Sequence, residues 1–97
     1  MATYIILSHL LPGSYCEPKD FKKIADAVAA KLKQDCPGVV WKASYATLGS
    51  VDIVDIVEAE DPKQVGKAAM IIRAYGNSTT ETLLATPWKD FIKGLGQ

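Results

Sequence analysis

Ninety-seven residues make one ordinary small domain, spanning 1–97. Hydrophobic residues form 48% of the chain and charged residues 23%, which excludes intrinsic disorder, and eleven basic against eleven acidic side chains leave no net charge for binding nucleic acid or an anionic membrane. No run of 18 apolar residues is present, so no transmembrane helix is expected, and a core this small gains from further burial in an oligomer.

The opening Met1-Ala2-Thr3-Tyr4-Ile5-Ile6-Leu7 has no basic stretch and enters an apolar segment of strand length at once. The expectation is a cytoplasmic chain without a signal peptide. Cys16 and Cys36 form no CxxC pair, which favours free thiols over a disulfide.

Thr3 to Leu10 is rich in β-formers and predicts a first strand, with Thr3, Ile5, Leu7 and His9 on one face and Tyr4, Ile6, Ser8 and Leu10 on the other. Leu11-Pro12-Gly13-Ser14 ends it. A helix follows from about Pro18 to Gln34, because Phe21, Ile24, Ala25, Val28 and Leu32 recur at helical spacing; Pro37-Gly38 stops it. Second and third strands run from about Val39 to Leu48 and from about Val51 to Ala59. Gly49-Ser50 between them has the composition of a two-residue type II′ turn. That turn sets Leu48 opposite Val51, Thr47 opposite Asp52, Tyr45 opposite Val54 and Ser44 opposite Asp55. Trp41, Tyr45, Val54 and Ile56 then share one face, and Lys42, Ser44, Ile53 and Asp55 the other. Both faces are partly apolar, so both need a cover.

The second helix has the clearest start. Asp61 suits the N-cap, Pro62 the first helical position, and Gln64 completes a capping-box pattern. Val65, Ala68, Ala69 and Ile72 form its stripe, and Gly76-Asn77 stops it. A fourth strand spans about Ser78 to Ala85. Thr86-Pro87 opens a short third helix, whose Trp88, Phe91, Ile92 and Leu95 at i, i+3, i+4 and i+7 predict that it docks on the domain.

The order β-α-β-β-α-β plus a terminal helix predicts an α+β, ferredoxin-like sandwich. Its four-stranded antiparallel sheet has order 4-1-3-2, with both main helices on one face. The other face stays bare in a single chain. A second subunit placed face to face, closing a dimeric α/β barrel, is the simplest cover.

Four stretches carry a resemblance: the opening Met1 to Leu7, Thr47-Leu48-Gly49 with Asp52, Ile56-Val57-Glu58-Ala59 running into Asp61, and Gly76-Asn77 followed by Thr80-Glu81-Thr82-Leu83. In their order and spacing the chain resembles the GYD-domain family of small bacterial and archaeal proteins. It departs from the family in the naming motif. Gly-Tyr-Asp is here Ser50-Val51-Asp52, with the glycine one place earlier at Gly49, so no role of the tyrosine ring carries over. The resemblance implies the dimeric α/β-barrel superfamily and a prokaryotic protein, but no reaction. That superfamily hosts haem-degrading monooxygenases, small isomerases and ligand-sensing regulatory domains, and fold alone does not choose among them.

Five residues are candidates for a ligand site. Asp52, just after the hairpin, can hold a ligand cation or brace the turn against Thr47. Asp55 sits mid-strand, where an unpaired carboxylate is costly to bury. It either pairs with Lys42, its diagonal neighbour, or lines a polar spot with Ser44 inside the barrel. His9, the one histidine, can serve as a haem ligand or a general base, but has no companions at metal-ligand spacing, so no metal is expected. Glu81 lies on the strand beside His9 and can orient it if the two share a face. Tyr45, like Trp41 and Trp88, is a core or dimer contact before it is a ligand platform. Tyr15 and Cys16 lie on the loop after the first strand, where Lys19 can lower a thiol pKa.

No phosphate-binding, dinucleotide, nucleophile-elbow or zincin motif is present, and no cofactor is called for. Two readings follow. The first is a homo-oligomeric binding or interaction module, a homodimer or larger, with a small apolar or aromatic ligand in the barrel. The alternative is a small enzyme of the monooxygenase or isomerase kind, using His9, Asp52, Asp55 or Glu81 in the barrel or under the helices, and a pocket that joins His9 with two of these carboxylates would favour it. A ligand-sensing regulatory domain is a third, and without a helix-turn-helix it would act through a partner.

Overall fold

Period-two and helical patterning produce seven elements in the computed structural model, which describes residues 1–13 and 17–96. They are β1 (Ala2–Leu10), α1 (Pro18–Asp35), β2 (Val39–Ala46), β3 (Ile53–Ala59), α2 (Pro62–Gly76), β4 (Ser78–Ala85) and α3 (Trp88–Leu95). The strands form one antiparallel sheet of order β2-β3-β1-β4, the order expected of the ferredoxin-like plan. No helix among the described residues is long and apolar enough to cross a membrane. Tyr15 and Cys16 lie outside the described residues.

The core sits where α2 meets the sheet. Ile6 pairs with Asp55 across β1 and β3, so Ile6 and Ser8 share a face with Asp55, Val57 and Ala59. Val65, Ala68, Ala69 and Ile72 of α2 are buried on that side, and Ile6, Val57 and Val65 are among the largest side chains fully removed from water. Each such burial contributes about 1.5–3 kcal/mol. The carboxylate of Asp61 accepts from the Lys63 backbone N–H at 2.9 Å, and Asn77 ends the helix in the left-handed region at φ 47°. The expected capping box is not closed. Gln64 lies over Gly38 instead, and its Oε1 is buried without a partner.

α1 is held differently. Val28 and Leu32 reach the core, yet no residue of α1 is fully buried. Its firm neighbour is α2, where Lys31 sits 5.8 Å from the Tyr75 ring. Lys31 also pairs with Asp35 at 3.0 Å, and hydrogen bonding to that carboxylate raises the lysine pKa. Cys36 caps the helix, donating its N–H to the Leu32 carbonyl at 2.8 Å, and its free thiol is buried.

The hairpin keeps the expected register over its tip, with Ser44 opposite Asp55, Tyr45 opposite Val54 and Ala46 opposite Ile53. The strands stop earlier than expected, so the link is Thr47 to Asp52 rather than two residues. Gly49 has the positive φ anticipated, at 129°. The longer link follows from its bonding. Thr47 Oγ1 donates to the Val51 carbonyl, and Asp52 turns toward β1. Asp52 N–H donates to the Ser8 carbonyl at 2.9 Å, and its carboxylate accepts from Leu10 N–H at 2.7 Å. The aspartate is therefore a brace, but to β1 and not to the Thr47 side chain.

Two expectations are corrected. The β2–β3 register shifts between Trp41 and Ala43, leaving Lys42 as the extra residue of a bulge. A one-residue insertion reverses side-chain parity beyond it, so Trp41 moves to the face of Ser44 and Asp55 instead of joining Tyr45. The third helix does not dock: among the described residues it packs against no other element, and Trp88 is 72% exposed. Helical spacing of apolar residues calls for a cover but does not say which chain supplies it.

Two stability measurements test this account. Asp52→Ala should lower the urea midpoint at unchanged m, by about 1–3 kcal/mol of unfolding free energy, since a buried donor loses a charged acceptor. Asp52→Asn should recover part of that loss. Burial pushes the Cys36 thiol pKa up, against the attraction of Lys67. A raised folded-state pKa gives stability that is complete below the free-thiol value and lost as pH rises through the folded one. Stability of the native chain should therefore fall above about pH 8.5 more steeply than that of Cys36→Ala. Iodoacetamide should modify Cys36 only after unfolding.

Candidate functional site

The polar centre of the molecule is Asp55, in the middle of β3 and only 7% exposed. Its cross-strand partner Ser44 donates Oγ–H to Asp55 Oδ1 at 2.5 Å. The Trp41 indole Nε1–H reaches the same oxygen at 3.1 Å and Ser44 Oγ at 3.0 Å. The bulge at Lys42 makes this possible by turning the indole onto the Asp55 face. It also removes the expected ion pair: Lys42 is exposed and no salt bridge joins it to Asp55. Among the described residues no donor reaches Asp55 Oδ2.

Beside it, on β1, Ser8 is 0% exposed and its Oγ has no hydrogen-bond partner. Ser8 pairs with Ile53 and Ile6 with Asp55, so Ser8 and Asp55 are diagonal neighbours on one sheet face. They form the base of a cleft between α1 and the sheet, of about 870 Å³. Phe21, Ile24, Val28 and Leu32 of α1 line one wall, and Ile53 and Ile72 line others. An apolar chamber of this size, with few polar groups at its base, has the make-up of a small-molecule site. It offers fixed acceptors and no set of three metal-ligating side chains among the described residues.

The remaining candidates are placed differently. Leu7 pairs with both Val54 and Glu81, and His9 with Thr79, so pairing sets His9, Glu81 and Tyr45 on the sheet face opposite Asp55, although Tyr45 also borders the cleft. His9 and Glu81 share a face, as an orienting pair requires, yet no hydrogen bond or salt bridge links them. Tyr45 is 58% exposed. Asp52 is engaged at the hairpin end by Leu10 N–H. The sheet thus separates Asp55 from His9 and Glu81, and the four groups do not converge. Sequence reasoning missed Ser8 and the role of Trp41. The signal for Ser8 was present: it is the one small polar side chain on the otherwise large, mostly apolar face of Tyr4, Ile6 and Leu10.

With this geometry in place, comparison with known proteins is informative. The chain is similar to a Thermus thermophilus protein named glutamine synthetase and cystathionine beta-lyase binding protein, with 38% identity over 96 residues, covering 98% of this chain and 99% of that one. The leucine response regulatory protein LrpA of Mycobacterium tuberculosis shares the fold, with a TM-score of 0.59 at 16% identity, over 89% of this chain and 51% of that one. This chain therefore spans about half the length of that regulator. SCO4226 from Streptomyces coelicolor A3(2) shares it with a TM-score of 0.52 at 14% identity, over 87% and 96% of the two chains. Residues 4–95 match the GYD domain, nearly the whole chain and every element from β1 to α3. On that match, and on the extent of the Thermus relative, the chain belongs to the GYD domain family.

Proposed function

We propose that this chain is a homo-oligomeric protein-interaction module that pairs with a second copy through its uncovered sheet face and takes soluble metabolic enzymes as partners. The observation that carries the reading is that face. Ile5 and Leu7 of β1 lie opposite Ile56 and Val54 of β3, beside Leu83 of β4, and among the described residues no helix covers them. Leu83 is 40% exposed, and the polar groups His9, Glu58 and Glu81 stand on the same face. A contiguous apolar patch with polar groups at its margin is the make-up of an interface. Being flat and self-complementary in composition, it suits a two-fold copy of itself.

The partner class comes from the Thermus relative, whose name states that it binds two enzymes. The ridge of Trp88, Phe91, Ile92 and Leu95 on α3 is the surface offered to them, because among the described residues no other element packs against α3. Exposed aromatic side chains on a short rigid element are what binding hot spots are made of. The cytoplasm is the compartment proposed with such partners. An apolar ligand between paired sheets would meet Tyr45, His9 and Glu81. The enzyme alternative calls for a pocket that joins His9 with two of Asp52, Asp55 and Glu81, and Asp55 stands on the sheet face opposite His9 and Glu81.

Light scattering at micromolar concentration should give twice the mass of the chain or a higher multiple. Leu7→Lys is the informative variant. The new ammonium faces Glu81 within its own sheet, which protects the fold, yet it places a charge in the interface. Self-association should weaken about a hundredfold or more, since burying an ion costs several kcal/mol. Removing α3 should leave the oligomer intact and abolish binding to purified glutamine synthetase or cystathionine beta-lyase in a biosensor assay. A wild-type monomer would overturn the self-pairing, and enzyme binding unchanged without α3 would overturn its assigned role.

A further inference from the structure

We infer that the cleft under α1 is a binding site for a small primary amine carried on an apolar body, an alkyl or arylalkyl monoamine, with its ammonium seated on Asp55 and Ser8. This site lies on the opposite side of the sheet from the proposed dimer face, so it stands or falls separately from that reading.

The first ground is an unbalanced charge. Asp55 is almost fully buried, and no cationic side chain among the described residues pairs with it. Buried carboxylates are normally paired or bound to a cation. Both donors that reach Asp55, the Ser44 hydroxyl and the Trp41 indole, use Oδ1, which leaves Oδ2 for a guest. The second ground is independent. Ser8 Oγ is wholly buried at the base of the same cleft and has no partner. A buried polar atom without a partner calls for an explanation, and a bound donor supplies one.

The donor set selects the head group. A guanidinium is matched to two free carboxylate oxygens, and here one is already taken twice. An ammonium is a compact charge with three donors in a tetrahedral fan. One can go to Asp55 Oδ2 and a second to Ser8 Oγ, since diagonal neighbours on a sheet lie about 7–8 Å apart at their backbones. The walls select the rest. Phe21, Ile24, Val28 and Leu32 offer only hydrocarbon to the body of the guest. Lys33 also lines the cleft and repels a second cationic group, which favours a monoamine over a diamine.

The test is calorimetric titration of the whole protein at neutral pH with n-octylamine and 2-phenylethylamine, beside n-octanol and octanoate as probes of equal apolar reach. The amines should bind, octanol should bind at least tenfold more weakly than octylamine, and octanoate should not bind. Asp55→Asn keeps an acceptor for Ser44 and Trp41, so the fold survives while the charge is lost. It should weaken octylamine at least fiftyfold and leave octanol unchanged. Ser8→Ala should weaken octylamine several-fold, again sparing octanol. In a Trp88→Phe background the remaining Trp41 fluorescence should respond to octylamine, because its indole is bonded to the same carboxylate. If Asp55→Asn does not fold, the ranking of the four probes on the native protein and the Ser8→Ala result decide. Octanol or octanoate binding as well as octylamine, or no amine binding at millimolar concentration, overturns the assignment.

Discussion

A single carboxylate sets the shape of the helix layer. Asp55 stands in the middle of β3, on the side where α1 and α2 lie. Its Oδ1 is satisfied by Ser44 and Trp41, while Oδ2 is not. Pressing α1 flat against the sheet would strip water from that oxygen and give nothing in return, at a cost of several kcal/mol. Burying Ile24 and Phe21 more deeply would return roughly 1.5–3 kcal/mol each at most. The two effects are of similar size, and the helix rests on α2 with its stripe only half-buried. α2 meets no such obstacle. Its small Ala68 and Ala69 are buried, and its Val65 and Ile72 join Ile6 and Val57 in the dry part of the sheet. The layer therefore has one closed half and one open half, and the open half is the cleft.

Much of this was legible in the sequence, and the failures share a cause. Element order and strand order follow from apolar spacing, which is local, and Gly49 pins the hairpin register from within a few residues. The bulge at Lys42 has no such local mark, since Trp41-Lys42-Ala43 reads as ordinary strand. Yet it decides the site: it turns the indole inward, turns the lysine away, and replaces an expected ion pair by two neutral donors. Asp55 itself was legible as an anomaly, because a carboxylate between Ile53 and Val57 has no justification in strand propensity. Its partners were not, because they depend on parity beyond the bulge. In the same way the stripe on α3 was visible, but the cover it needs is not written in spacing.

The sheet also divides the candidate residues by function. β3 presents Asp55 and Val57 to the helices and Val54 and Ile56 to the open face, so one strand serves both sides. Any chemistry that needs Asp55 together with His9 would have to act through the sheet. What the open face holds instead is a hydrophobic strip with an imidazole and carboxylates on it, which is the surface proposed for recognition. Charged groups there add specificity and register more than affinity.

His9 and Glu81 sharpen that point. They stand on one face of adjacent strands, one step out of register, and yet do not meet. Among the described residues the pair is therefore open within one chain. A two-fold interface changes the accounting, because every contact of residue i with residue j recurs as j with i. In the proposed dimer an imidazole and a carboxylate left open in this way could close twice between copies, while Glu81 set against its own counterpart would repel. A face built this way favours one rotation of the second copy over the others, which a purely apolar patch of Ile5, Leu7 and Ile56 could not do. In the proposed dimer the hydrophobic strip would supply the attraction, and the unclosed pair the alignment.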